Sequence, residues 1–159
     1  MKHLPKHLQP RWRYLAVALE TWADEEVTRE PFQRALWYSA QNVLGDTGSA
    51  KLDLSVLRFE FVGNNGEALV RVRRGEVEDA RAVLACLDEV AGMEVGLRVV
   101  GTSGTVRACE EKYMRRGPIE PDQRHVVFDG TERPALVRNG RVDIGTDNPT
   151  GATTLDTDN

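Results

Sequence analysis

Phe59-Glu60-Phe61-Val62-Gly63-Asn64-Asn65-Gly66-Glu67-Ala68-Leu69-Val70-Arg71-Val72-Arg73-Arg74 is the stretch whose reading decides the fold. Asn and Gly tolerate positive φ, so Gly63-Asn64-Asn65-Gly66 reads as a tight reversal between two strands, Leu52–Phe61 and Glu67–Arg74. In the second strand Ala68, Val70 and Val72 alternate with Leu69, Arg71 and Arg73, the period of a sheet with one face buried.

Outward from this hairpin the chain alternates helix and strand. On its N-terminal side Phe32, Leu36, Ala40, Val43 and Leu44 recur at helical spacing. Pro31, preceded by Thr28 and Glu30, marks the helix start, and Gly45 marks its stop. Asp46–Ala50 reads as a loop of small residues. Earlier still, Arg13–Leu19 is a strand, followed by a turn at Thr21–Asp24. On the C-terminal side, Gly75 leads into a helix over Glu76–Val90. There Val77, Ala80, Val83, Leu84 and Leu87 share one face, and Gly92 ends the run. Val95–Val100 is the fourth strand. Gly101–Thr105 is a turn before a short helix, Val106–Met114, capped by Thr105.

The order β-α-β-β-α-β predicts an α+β protein, a ferredoxin-like or RRM-like split βαβ sandwich with an added C-terminal helix. Its four-stranded antiparallel sheet carries two helices on one face. The boundaries read as a basic arm over 1–12, the ferredoxin-like domain over 13–116 and an extension over 117–159. In the extension, His125–Phe128 and Ala135–Ile144 suggest a small hairpin over 125–144, turning at Asn139-Gly140. The rest of the tail is expected to be irregular. Its last dozen residues, rich in Asp, Thr, Asn and Gly, read as disordered.

Composition narrows the function classes. With 159 residues, 40% apolar and 29% charged, the chain suits one soluble domain with a tail. No apolar run approaches the roughly 20 residues of a spanning helix, and no apolar core follows the basic N-terminus as in a signal peptide. A cytoplasmic protein without membrane contact is expected. The cysteines, Cys86 and Cys109, then read as free buried thiols in a reducing compartment. His3 and His7 have the spacing of a metal pair, but Pro5 between them argues against the helix such a pair needs, and no metal is expected. Seventeen arginines and four lysines stand against 25 acids, a Lys-poor, acidic balance that suits high salt. Arginine's planar fork stays useful where simple charges are screened.

Phosphate-binding loops, nucleophile elbows and zinc signatures are absent from the sequence. The acid pairs Glu110-Glu111 and Asp88-Glu89 read as solvated helix sides. Gly101-Thr102-Ser103-Gly104 has Gly-x-x-Gly spacing but reads first as a turn, although the N–H groups of the next helix are open to a phosphate. No catalytic residue is assigned.

Basic residues are the better lead. Lys2, Lys6, Arg11 and Arg13 form an arm without an acid in a chain of net charge −4, a polyanion contact or else a solvated tail. Trp12, between two arginines, reads as a nucleic-acid contact, whereas Phe32 reads as core. Alternation gathers Tyr14, Arg71, Arg73 and Arg98 on one sheet face, which either meets RNA or lies beneath the last helix. The aromatics of a base-stacking sheet are missing from its third strand. In the last helix Val106, Cys109 and Tyr113 form an apolar stripe expected to pack on that face or on a partner. Arg107, Lys112, Arg115 and Arg116 fall off the stripe and are expected to face RNA.

Three segments then carry a specific resemblance. They are Arg11-Trp12-Arg13-Tyr14-Leu15 entering the first strand, Leu36-Trp37-Tyr38 with Gln41-Asn42-Val43-Leu44-Gly45 in the first helix, and Gly104-Thr105-Val106-Arg107-Ala108-Cys109 opening the last helix. Together they resemble component 2 of archaeal ribonuclease P, the counterpart of a small eukaryotic protein shared by ribonuclease P and its ribosomal-RNA-processing relative. The likeness covers roughly residues 1–116. The tail resembles the extension of salt-loving members.

That resemblance implies a subunit of the enzyme that removes the 5′ leader of precursor tRNA. The RNA subunit with bound Mg²⁺ performs the hydrolysis, and the protein binds no cofactor of its own. Implied partners are the ribonuclease P RNA, precursor tRNA, other ribonuclease P proteins and a TIM-barrel-like protein, component 3, in a two-plus-two assembly. A free-standing RNA-binding module and a ferredoxin-like domain that binds a small regulatory molecule are the alternative classes.

Overall fold

The computed structural model describes residues 4–22, 25–114, 117–118, 121–138, 141–145 and 149–157. Strand β1 (Trp12–Thr21) lies at the centre of an antiparallel sheet. It runs between β3 (Asn65–Arg73) and β5 (Met93–Ser103), with β2 (Ser55–Val62) outside β3 and the two-residue β4 (Glu89–Val90) outside β5. Helices α1 (Arg29–Leu52) and α2 (Val77–Ala85) cover one face, giving the expected split βαβ arrangement. Leu15, Val17 and Leu19 with Ala68, Val70 and Val72 bury against Phe32, Leu36, Ala40, Val83 and Leu84. Ser39 Oγ donates to the Val83 carbonyl at 2.9 Å, a buried tie between the helices.

Element ends depart from the expectation in three places. Gly45 does leave helical geometry at φ 72°, yet a helical segment resumes to Leu52 where a loop is expected. Leu52 is 1% exposed, and burying it holds this last turn in register. The second helix stops at Ala85 instead of Val90. Ala91 and Gly92 both have positive φ, so they form a tight reversal joining β4 to β5 in place of a helix stop. The fourth expected strand also runs on through Gly101–Ser103, which continue to pair with β1 beyond an irregularity at Ala16/Val17.

The opposite sheet face is covered at its centre by the added helix α3 (Val106–Tyr113). Ala16, Leu69, Cys109 and Met114 form a second small core there, flanked by Tyr14 and Tyr113. Gly101 sits beneath Tyr113, where an added Cβ would come within 2.1 Å of the phenol ring. The glycine therefore serves close packing, not the chain reversal expected of it. Thr105 does cap the helix, accepting from the Ala108 N–H at 3.1 Å. Val106 does not join the stripe: in the first turn it stays exposed, and Met114 takes the packed position.

Beyond α3 the chain forms four antiparallel strands, β6 (Asp122–Phe128), β7 (Thr131–Arg138), β8 (Arg141–Ile144) and β9 (Thr150–Thr153). The expected hairpin is thus part of a wider sheet, and 150–153 pair with β8 where an irregular end is expected. Val126, Ala135, Val142 and Ile144 give this sheet its own core. It is docked to the first sheet by Arg138, 6% exposed, which donates to the Thr21 carbonyl. Arg138 also lies 3.4 Å from Glu20 and 3.5 Å from Asp143, and Arg141 meets Glu20 at 2.8 Å.

Candidate nucleic-acid interface

The start of β1 and the end of β3 bring arginines together. Register sets Trp12 opposite Arg73 and Tyr14 opposite Arg71, so these four share the face that carries α3. The Arg71 guanidinium lies 3.9 Å from the indole centroid of Trp12, and that of Arg73 lies 4.3 Å from it. Arg73 also pairs with Asp53 at 3.1 Å, across the end of α1. A Cβ on Gly104 would come within 2.7 Å of Arg13 Nη1, so the Arg13 head rests against that bare backbone. Arg74, exposed, donates its backbone N–H to Arg11 O at 2.9 Å and closes this end of the sheet. Among the described residues, Arg11, Arg13, Arg71 and Arg74 have no carboxylate partner.

The other sequence candidates scatter. Arg98 is on the same face, opposite Ala18, but four residues further along β1, roughly 13 Å away. It borders a groove of about 460 Å³ between the first sheet and the C-terminal one, together with Glu67, Tyr113 and Arg141. Arg107 is tied to Glu111 at 2.8 Å on the outer side of α3, and Lys112 lies 5.3 Å from the Tyr113 ring. Lys6 sits in an exposed turn. Lys2, Arg115 and Arg116 lie outside the described residues. The expected face of Tyr14, Arg71, Arg73 and Arg98 is thus divided by α3, which covers Tyr14 and leaves the arginines at either end.

Arg74 and Asp53 belong to this end of the molecule, and the sequence reading missed both. Arg74 was findable from its place beside Arg73 once β1 and β3 are paired. Asp53 was not, because its contact depends on where α1 ends.

Two titratable groups on the α3 side of the sheet are shifted by burial. Burial, with Glu110 adding to it, pushes the Cys109 thiol up to about 11, the opposite of an activated nucleophile. Glu67 is raised by burial and by Glu60, against the opposing effect of Arg58. Among the described residues no three His, Cys, Asp or Glu side chains come together to hold a metal ion. Charge is partitioned as well. Residues 118–159 hold eight acids and four arginines, the whole of the chain's surplus of four negative charges. Residues 1–117 are balanced, and the arginine end is their concentrated positive surface.

Comparison with known proteins agrees with the motifs. Residues 13–114 match the Rpp14/Pop5 family. A ribonuclease P protein component 2 from Natronomonas pharaonis is 60% identical over 158 residues, 98% of each chain. Its counterpart from Halorubrum lacusprofundi is 56% identical over 99% of this chain and 100% of its own. That from Methanosarcina mazei is 34% identical over 115 residues, 72% of this chain and 94% of its own, about the length of the arm and ferredoxin-like domain together. A chain in the cryo-EM structure of yeast ribonuclease MRP aligns with 60% of this chain and 75% of that one, at a TM-score of 0.46 and 14% identity.

Proposed function

The chain belongs to the Rpp14/Pop5 family, and we propose that it acts within ribonuclease P as an accessory subunit, binding and supporting the RNA that carries the chemistry. The observation that carries this reading is the arginine end: four arginines without carboxylate partners among the described residues, gathered beside Trp12 on a domain of balanced charge. Such a surface neutralises crowded phosphates and holds a folded RNA by its backbone and shape. Precursor tRNA is the substrate of the assembly, which removes the 5′ leader. Mg²⁺ held by the RNA supplies the hydrolysis. By analogy with the family, a TIM-barrel-like component 3 is the protein partner, in a two-plus-two arrangement with further ribonuclease P proteins around it, in the cytoplasm. Family membership favours this reading over a free-standing RNA-binding module or a metabolite-sensing domain.

Reconstitution tests it. Added with component 3 to ribonuclease P RNA at limiting Mg²⁺, the chain is expected to raise cleavage of precursor tRNA. The variant with Arg11, Arg13, Arg71 and Arg74 all changed to Ala is expected to lose most of that gain, and its RNA affinity should fall less steeply with salt, by up to about one unit of slope per lost phosphate contact. An unchanged slope would assign these arginines to the solvent. The chain alone with Mg²⁺ should leave precursor tRNA intact, and cleavage by RNA-free protein would overturn the accessory role.

A further inference from the structure

We propose that Trp12 is not a base-stacking residue but the positioning residue of a phosphate-binding fork, which holds the Arg71 and Arg73 guanidiniums ready for one phosphodiester of the RNA backbone. The inference rests on the RNA-binding reading above and specifies what that surface recognises.

The geometry carries it. Both guanidiniums already lie over the indole, at 3.9 and 4.3 Å from its centroid, so the ring surface a nucleobase needs is engaged by protein. Arg71 and Arg73 are two apart on β3 and point to one side, with Trp12 directly across from Arg73. Their electrostatic states differ. Arg73 is compensated by Asp53 at 3.1 Å, whereas Arg71 has no carboxylate among the described residues. Arg71 Nε is shielded from solvent and finds no acceptor among the described residues, which leaves the terminal nitrogens to meet an incoming anion. A phosphodiester offers two unesterified oxygens that match those nitrogens in a bidentate pair. Arginine on a flexible stem loses rotamer freedom when it binds; one already stacked on a rigid ring has lost much of it beforehand. A bidentate contact at about 2.8 Å also survives high ionic strength better than a more distant point charge, because it acts inside the ~3 Å screening length of 1 M salt.

A double-mutant cycle on the full chain, read as affinity for ribonuclease P RNA across a range of KCl concentrations, decides the matter. Arg71→Ala is expected to weaken binding by about tenfold and to lower the salt slope by about one unit. Trp12→Leu, which removes no charge, should reproduce much of both effects, and should add little once Arg71 is already Ala. Trp12→Phe keeps a ring under the guanidiniums and should bind nearly as wild type. If Trp12→Leu lowers affinity with the slope unchanged, and its effect adds in full to that of Arg71→Ala, the indole stacks on a base and the fork is wrong while the RNA reading stands. If neither substitution nor the quadruple arginine variant changes RNA binding, the RNA reading of this surface fails instead. Thermal unfolding of each variant separates these outcomes from loss of fold. Should Trp12→Leu not fold, the Trp12→Met variant, which also lacks a ring and a charge, completes the same cycle.

Discussion

Cys86 and Cys109 carry one functional group into opposite surroundings, which makes them a direct probe of the α3 contact. Cys109 is fully buried, with its Sγ 3.6 Å from the Tyr14 carbonyl, while Cys86 is exposed at the end of α2. Native protein at pH 8 should take up one iodoacetamide adduct, at Cys86, and a second only after unfolding in urea; equal labelling of both thiols would mean that α3 does not rest on the sheet. The sign of the pH effect follows. The folded thiol keeps its proton to about 11 while the ordinary value is 9.0, so the folded state binds more protons between those limits. The contribution of this thiol to stability is therefore full below pH 9 and is lost as pH rises towards 11, and that part of the slope is expected to disappear in Cys109→Ala. At this scale much was legible. Period-two alternation alone put Tyr14, Arg71, Arg73 and Arg98 on one face, as the register has them. Charge pairing was not legible: that Arg73 is tied to Asp53, while Arg71 has no such partner among the described residues, depends on rotamers and helix ends.

Elements were legible in type and order, and less so at their ends. Gly45, Gly92 and Gly101 all read as punctuation, because glycine lacks the steric cost of positive φ. Gly45 kinks a helix that continues, Gly92 turns a hairpin, and Gly101 stays inside β5. What decides among these roles is packing from elsewhere in the chain. Gly101 is the clearest case, since it admits the Tyr113 ring. Gly101→Ala puts a methyl about 2.1 Å from Tyr113 Cζ, and α3 must lift or the ring must leave. Overpacking of this kind costs about 1–3 kcal/mol. A matching fall in urea stability is expected, with Cys109 becoming reactive towards iodoacetamide at pH 8. Restoring room with Tyr113→Leu in the same chain should recover part of the loss. If Gly101→Ala is as stable as wild type and Cys109 stays protected, α3 is not seated as described.

The C-terminal sheet was the least legible part of the molecule, and the reason is distance along the chain. Arg138 precedes the expected Asn139-Gly140 turn, and nothing in that reading marks it out, yet it is docked against Thr21, 117 positions earlier. Only the assembled fold brings Glu20 and Asp143 to its side. That arrangement also lets a charge-balanced domain and an acidic one share a chain, with the acid surplus held away in sequence from the arginine end. Arg138→Leu tests whether the two sheets act as one body. Leucine fills some of the space but leaves Asp143 without its strongest compensating charge. Removing one partner of a buried pair costs about 3 kcal/mol or more, here reduced because Glu20 keeps Arg141. Burial already raises the Asp143 carboxyl, with Arg138 opposing that rise. In the variant it should rise further, so the folded state holds its proton to higher pH than the unfolded chain does. The loss of the bond to the Thr21 carbonyl is independent of pH, whereas the part of the deficit due to Asp143 should be small in acid, where both states are protonated, and grow as pH rises through the carboxylate range towards neutrality. Asp143→Asn in the same chain should remove that pH dependence and return part of the stability. Limited proteolysis should release an intact ferredoxin-like domain from Arg138→Leu at concentrations that leave wild type whole. Equal protease resistance and an unchanged urea midpoint at pH 5 and pH 7 would mean that Arg138 does not hold the two sheets together.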